Sequence, residues 1–383
     1  MVSKVVSPSV TPGVSLTTLY EYDNVGRLIS TTYPSGRRVD YSFDAGRVEG
    51  LSYDFQPVLS NITYRPMGGG LTGWNWSGFP GTVRFDYDLN GRLSGIQDVD
   101  EREYVRDARG WITAIADPND ASMDQVYAYR TDGSLIQADL AARPDPVDYR
   151  LDENYNIMEK RLGPVDVIYS DFYTNYAINN RPHAVYDGVS TEPLTFDEAG
   201  NMLSNGGGLS LTYDAKGRMN TASRFGLNTE FAVNAMGQRV RKSGSHLSTG
   251  HRLYAYDEKG RLLGQYDGLG KAVEEYVYLD GPRPVALVRN IASVASVAQV
   301  HPVLTDHLGT PRKVLSPSGA LLWSWEAKDP YGHQAPNVLH GGTTFEFDLR
   351  FPGQIYDVAS TVIAQKIAQV PGVGQVEAGG SSL

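Results

Sequence analysis

Aromatic residues recur at every second position in short runs spread along the chain: Tyr20 and Tyr22, Tyr41 and Phe43, Phe85 and Tyr87, Tyr127 and Tyr129, Tyr254 and Tyr256, Tyr276 and Tyr278. A spacing of two puts both rings on one face of a strand, and such side chains suit a pleated, half-buried surface. Apolar residues at helical spacing are scarce. The exception is Val358, Val362, Ile363, Ile367 and Val370 ahead of Pro371-Gly372, which fits one short helix or a frayed tail equally well. The pattern predicts an all-β chain of many short strands.

Each aromatic pair runs into the same kind of turn. Aligned on the acid, the clear units are YDNVGRL (Asp23, Gly26, Arg27), the shorter FDAGRV (Asp44, Gly46, Arg47), YDLNGRL (Asp88, Gly91, Arg92) and RDARGWI (Asp107, Gly110). FDEAGNM (Asp197, Gly200), YDAKGRM (Asp214, Gly217, Arg218) and YDEKGRL (Asp257, Gly260, Arg261) follow. Weaker units are YRTDGSL (Tyr129–Leu135, with Arg130 in the place of the acid) and LDENYNI (Leu151–Ile157, at Asp152); VNAMGQR (Val233–Arg239) carries Asn234 in that place, and YDGLGKA follows at Asp267. Most are spaced 17 to 23 residues apart; the steps from 44 to 88 and from 152 to 197 are near double, as if each hid a degenerate unit. Self-similarity at a fixed period is the mark of an array.

The chemistry of one unit follows from its residues. The Asp carboxylate can accept a hydrogen bond from a backbone N–H two residues on, and the Gly supplies a positive φ. Asp-x-x-Gly therefore suits a hairpin built on a type I turn, a left-handed residue and a bulge. The following Arg is expected beside the Asp or over a neighbouring ring, and the apolar residue after it restarts the strand. A lone hairpin cannot bury its aromatic face, so neighbours must stack.

Composition narrows the function classes. With 41 Gly, 24 Tyr and 41% apolar residues in 383, the chain has enough apolar material for a sizeable all-β core. The net charge of −10, with Arg spread thinly, disfavours a nucleic-acid or anionic-membrane partner. No cysteine is present, so neither disulfide nor thiolate metal site exists. The start, MVSKVVSPSVTPGVSLTT, does not read as a signal peptide, and no run of eighteen apolar residues predicts a membrane span.

These residues resemble the YD-repeat, or Rhs (rearrangement hotspot), family of bacterial proteins. After Tyr254–Val288 come TDHLGTPRKV, LLWSWEAKDPYG and LRFPGQIYD, in the order of the end of the Rhs core. The family motif residues are Asp306, His307, Gly309, Pro311, Arg312, Arg350, Phe351, Pro352, Gly353 and Gln354. The resemblance covers roughly residues 19–357. It implies strands spiralling into a hollow shell that encloses a C-terminal toxin domain, an Asp-Pro autocleavage segment, and carriage by secretion machinery. Related arrays occur in toxin-complex cocoons and teneurin-type adhesion proteins. Here LRFPGQIYD gives way to a tail that fits no repeat, so the resemblance implies a piece of core without cleavage segment or toxin.

The expected fold is thus a set of repeated β-hairpins forming a curved, spiralling sheet, a partial Rhs-type shell. Its divisions are a flexible segment at 1–18, a YD-repeat array at 19–288, a linker at 289–300, a motif region at 301–357 and a divergent tail at 358–383. Exposed strand edges are expected to favour self-association. The expected function is a structural wall for encapsulation, without enzymatic activity or cofactor. The alternative is a carbohydrate-binding or adhesive module.

Trp74 and Trp76, two apart, could stack on sugars or pack between strands, and Trp323 and Trp325 repeat the spacing. Asp329-Pro330 could be mistaken for a cleavage bond, but its place matches an ordinary Pro-aromatic-Gly turn of the family. His301, Asp306 and His307 lack a recognised metal-ligand spacing, and a structural role is expected for His307. His183, His246, His251, His333 and His340 read as surface loop residues. Gly68–Gly70 and Gly206–Gly208 follow no strand-to-helix pattern, so neither reads as a phosphate loop. No catalytic or metal-binding constellation is expected.

Overall fold

Strands form where the aromatic runs stand, and most of the joints between them fall at the Asp and Gly positions. The computed structural model describes residues 2–6, 14–67, 69–78, 81–98, 101–162, 165–168, 181–182, 184–186, 191–279, 281–289, 297–326, 330–332, 334–340 and 342–356. The first eighteen strands, from Val2–Val6 to Thr191–Pro193, form one sheet. Each pairs antiparallel with the next in the chain. A second sheet holds thirteen strands from Thr195–Phe196 to Leu321–Ser324, joined in the same way. A small hairpin, Leu339–His340 with Thr343–Thr344, follows.

Three of the expected divisions change. Val2–Val6, inside the stretch read as flexible, is a strand paired with Leu16–Tyr22. The array at 19–288 divides into two sheets at the buried Leu194. The 289–300 linker is narrower, because Arg289 ends one strand, Gln299 begins the next, and the two pair directly. The tail at 358–383 lies outside the described residues.

Because consecutive strands run antiparallel, joints alternate between two rims of each sheet. Two strands and two joints account for the spacing of 17 to 23 residues. The corners at Asp23, Asp88 and Asp107 therefore share one rim of the first sheet, and those at Asp197, Asp214, Asp257 and Asp306 share one rim of the second. The corner at Asp267, a single strand after Asp257, sits on the opposite rim. In the long step from 44 to 88, a loop from Arg65 to Gly70 occupies the missing place.

Burial explains why the array holds together. Outer strands such as Thr82–Tyr87 and Leu209–Tyr213 alternate buried and exposed, with one covered face. The strands Leu262–Asp267, Ala272–Tyr278 and Pro284–Arg289 are buried on both faces. On one side Val277, Val285 and Val288 meet Val39, Leu51, Trp74 and Ile96 of the first sheet. On the other, Tyr254, Tyr276 and Tyr278 meet Trp323, Trp325, Phe347 and Ile355 of the motif region. The middle of the molecule is thus three layers deep.

A buried acid sits at the first of these seams. Glu275, fully buried, accepts hydrogen bonds from Tyr53 (2.6 Å) and Ser35 (3.0 Å) of the first sheet and from Tyr266 (2.7 Å) of its own. Nearby, the Tyr33 hydroxyl donates to the Tyr276 carbonyl at 2.8 Å.

Candidate functional site

The repeated corner is the element that carries the chemistry of the sequence. At Asp23 the backbone closes through Gly26 N–H to the Asp23 carbonyl (3.1 Å) and Asp23 N–H to the Arg27 carbonyl (3.0 Å). One carboxylate oxygen accepts from the Val25 and Arg27 amides at 3.0 and 2.9 Å, and the other from Arg27 Nε at 2.6 Å. Gly26 has φ +84°, and the register shifts at Glu21–Tyr22, so the joint is a type I turn closed by a bulge. Asp88, Asp214 and Asp257 repeat the whole pattern with Arg92, Arg218 and Arg261. At Asp197 the amide of Asn201 takes the place of the guanidinium.

These contacts stabilise the ionised acid. The Arg27 amide and guanidinium hold Asp23 below the usual carboxylate range, and the Arg92 amide and guanidinium do the same for Asp88. Arg218 brings Asp214 down to about 2. The Asp44 unit, one residue shorter, departs from the pattern. Asp44 pairs across the strands with Arg47, and the joint is Ala45-Gly46 with φ of 45° and 84°, a two-residue turn that needs no side-chain acceptor.

The tyrosine that ends the strand entering a corner and an arginine at a corner tie one corner to the next. The hydroxyls of Tyr64, Tyr87 and Tyr129 donate to the carbonyls of Val48, Leu71 and Ile112 at 2.9, 2.5 and 2.7 Å. Each acceptor is the residue that resumes the strand after the preceding corner on that rim. Arg47 stacks on Tyr64 (5.1 Å) and donates to the Arg65 carbonyl at 3.1 Å. Arg65 stacks on Tyr87 (4.8 Å), and Arg261 stacks on Tyr278 (5.0 Å) while donating to the Gly281 carbonyl at 3.1 Å. The two expected places for the arginine, beside the acid and over a ring, are both occupied in Arg27 and Arg261.

The family motif builds one more corner and buries it. Asp306 N–H donates to the Thr310 carbonyl, Gly309 has φ +86°, and the Leu308 and Thr310 amides donate to the carboxylate. Arg312 binds the second carboxylate oxygen through Nε (3.0 Å) and Nη2 (2.8 Å), and reaches the Trp325 carbonyl. Burial pushes the Asp306 carboxyl up, but Arg312, His307 and Arg102 outweigh it and hold it below its ordinary range. Arg350 lies among Trp323, Trp325 and Tyr356 and donates to the Phe347 and Leu349 carbonyls. Burial lowers its guanidinium to about 10. Phe351, Pro352, Gly353 and Gln354 form a further turn, which with Gly309 and Pro311 lines a cavity of about 390 Å³ against Tyr256 and Tyr278.

The tryptophans resolve toward packing. Trp74 and Trp76 are 4% and 6% exposed, meet edge to face at 6.0 Å, and Trp74 lies 5.3 Å from Phe85. No ring face is left open for a sugar. Trp323 and Trp325 are buried as well. His301 is buried against Phe345 beside the Leu315 carbonyl, and burial lowers its imidazole to about 4. Three of the supposed loop histidines are described. His246 is exposed, but His251 starts a strand and contacts Ser243 at 3.0 Å, and His340 belongs to the small hairpin. His183, His333 and Asp329 lie outside the described residues. Among the described residues no group of three His, Asp or Glu could hold a metal ion.

Sequence reasoning missed two features. Glu275 carries no local signal, since its partners lie 9 to 240 residues away. A second cavity, of about 190 Å³, lies where Tyr104, Gln125 and Tyr127 of the first sheet face Asp306, His307 and Arg312. Only the fold brings these residues together.

Comparison with known proteins places this architecture. The RHS repeat family is matched over residues 9–54. The chain is similar in fold to the crystal structure of TcdB2-TccC3, with TM-score 0.68 and 15% identity, covering 91% of this chain and 20% of that one. A TcdB2-TccC3-TEV structure gives TM-score 0.70 at 15% identity, covering 93% and 20%. Over forty residues the chain is 58% identical to multidrug resistance protein MdtC of Erwinia tasmaniensis (strain DSM 17950 / CFBP 7177 / CIP 109463 / NCPPB 4357 / Et1/99), covering 10% of this chain. This chain spans 4% of the length of that relative, too little to carry over its activity.

Proposed function

Because this chain is an Rhs/YD-repeat protein with the Rhs-type shell fold, we propose that it is a structural wall that encloses a toxin domain and works by confinement, without catalysis. The observation that carries this reading is the chain of Tyr and Arg ties running from corner to corner along the rim. Each tie holds one hairpin to its neighbour, which suits a surface whose task is to stay closed. Likeness to TcdB2-TccC3 over nine-tenths of the chain supports the same role. Delivery by secretion machinery and a part in bacterial competition belong to this proposal.

The test is a graft. Residues 16–326 replace the matching wall strands of an Rhs-type shell, and its cargo is challenged with trypsin. Cargo that stays intact supports the wall; cargo digested inside a folded shell overturns it. The purified chain should also run as one intact band on a denaturing gel after prolonged incubation, and fragments arising without added protease would defeat the non-catalytic reading.

A further inference from the structure

The larger of the two cavities, about 390 Å³, lies on one rim of the second sheet. Successive joints on that rim flank it, the Asp257 corner, Gly281-Pro282 and the Asp306 corner, together with the turn Phe351–Gln354. Its walls are largely apolar, with Leu262, Pro282, Pro311, Leu349, Phe351 and Ile355 among them. A concave, mostly apolar space of this size with a few polar groups is the usual form of a small-molecule site.

The polar groups around it are short of partners. Tyr256 and Tyr278 line the cavity, 4% and 6% exposed, and among the described residues neither hydroxyl makes a hydrogen bond. Their counterparts Tyr87, Tyr129 and Tyr213 all donate to a main-chain carbonyl. The Gln354 side-chain amide and the Lys259 ammonium belong to the same lining, and among the described residues neither has a hydrogen bond or an ion pair. Glu258, beside Lys259 in the chain, accepts from Tyr22 of the first sheet. Buried polar atoms are nearly always satisfied, so free hydroxyls on the wall of a cavity point to something that fills it.

What these groups have in common decides the ligand. Each can donate a hydrogen bond, and among the described residues no Asp or Glu lines the cavity. Two guanidiniums also line it, but both are engaged. Arg261 binds Asp257 at 2.6 Å and the Gly281 carbonyl at 3.1 Å, and Arg350 donates to the Phe347 and Leu349 carbonyls. Water would satisfy a hydroxyl, yet the apolar walls offer few of the two to four partners that a buried water needs. A carboxylate brings two acceptor oxygens and one negative charge, and charge-assisted hydrogen bonds are the stronger kind. An apolar body attached to it would cover the leucine, isoleucine and proline walls.

We infer that this cavity binds a small apolar carboxylic acid in its ionised form, its body against Leu262, Leu349 and Ile355 and its carboxylate held by the free donors of the lining. The ligand is a free small molecule, since the volume falls at the lower end of the roughly 300–1,000 Å³ that such ligands occupy. The inference stands apart from the wall function, which a filled or an empty cavity would serve equally.

Isothermal titration calorimetry of the whole chain tests it with cinnamate against cinnamamide, which has the same shape without the charge, at constant ionic strength. One saturable site is expected for cinnamate, with cinnamamide bound about tenfold or more weakly. Lys259→Gln should bring cinnamate down toward the amide and leave the amide unchanged, whereas Tyr278→Phe should weaken both. Lys259 is exposed and the Tyr278 hydroxyl has no partner, so neither variant should melt below the wild type by circular dichroism. Absence of saturable binding at millimolar cinnamate would overturn the site. So would equal binding of acid and amide by the wild type, or cinnamate binding that both substitutions leave untouched.

Discussion

At the scale of the residue, the same Asp–Arg pair has different consequences depending on depth. In the first corner the Arg27 and Asp23 side chains are 40% and 20% exposed, whereas Arg261 and Asp257 are 18% and 6% exposed. An exposed ion pair contributes about 0–1 kcal/mol, while a buried partner left alone is costly. Asp257→Ala is therefore expected to cost about 3 kcal/mol in urea unfolding and Asp23→Ala about 1 kcal/mol, mostly from its lost backbone contacts. Equal losses would show that depth does not matter here. The pairing itself could be read from the Asp-x-x-Gly-Arg spacing. The depth could not, because both corners share the motif YD-x-x-GRL and differ only in what packs against them.

At the scale of the element, the hairpins were legible and their joints only partly so. Asp-x-x-Gly predicts the corner at Asp23, but the joint between Arg47–Tyr53 and Gln56–Tyr64 is Asp54-Phe55, with φ of 49° and 66° and no glycine. A two-residue turn of this kind normally takes Asn or Gly, because a side chain in the left-handed region costs roughly 1–2 kcal/mol. Phe55 is 77% exposed, and the Arg38 guanidinium lies 5.9 Å from its ring centre. Phe55→Gly is thus expected to stabilise the protein by about 1 kcal/mol, seen as a higher melting temperature. A lower one would show that the Arg38 contact outweighs the backbone strain.

At the scale of the molecule, the two sheets meet over an ionisable group. Burial pushes the Glu275 carboxyl up, against the hydrogen bonds from Tyr53, Tyr266 and Ser35 that favour its charged form. A carboxyl raised in the fold contributes stability that is present below its unfolded value of 4.5 and lost as pH rises through the folded value. The wild type should therefore gain stability relative to Glu275→Gln as pH falls from neutral toward 4.5 in paired denaturation curves. A difference that stays flat with pH would remove Glu275 from that role. The sheet ends make a second prediction. Val2–Val6 pairs only with Leu16–Tyr22, and Thr195–Phe196 only with Met202–Ser204, so both leave a strand edge open among the described residues. Sedimentation velocity should show association that grows with concentration, and a single sharp monomer boundary at tens of micromolar would contradict it.

The sequence by itself determined the strand, the corner and the period, because each is local. Alternation sets the strand, and an acid three residues ahead of a glycine sets a turn whose hydrogen bonds all lie within four residues. Which faces become buried was a tertiary decision. Trp74 and Trp76 could have met solvent or sugar by spacing alone, and they became core because the second sheet closes over them. Glu275, Tyr104 and His307 took their surroundings from contacts that cross between the sheets or between strands far apart in the chain. No period in a chain can encode a contact between segments of different phase; that requires the two sheets to fold and meet.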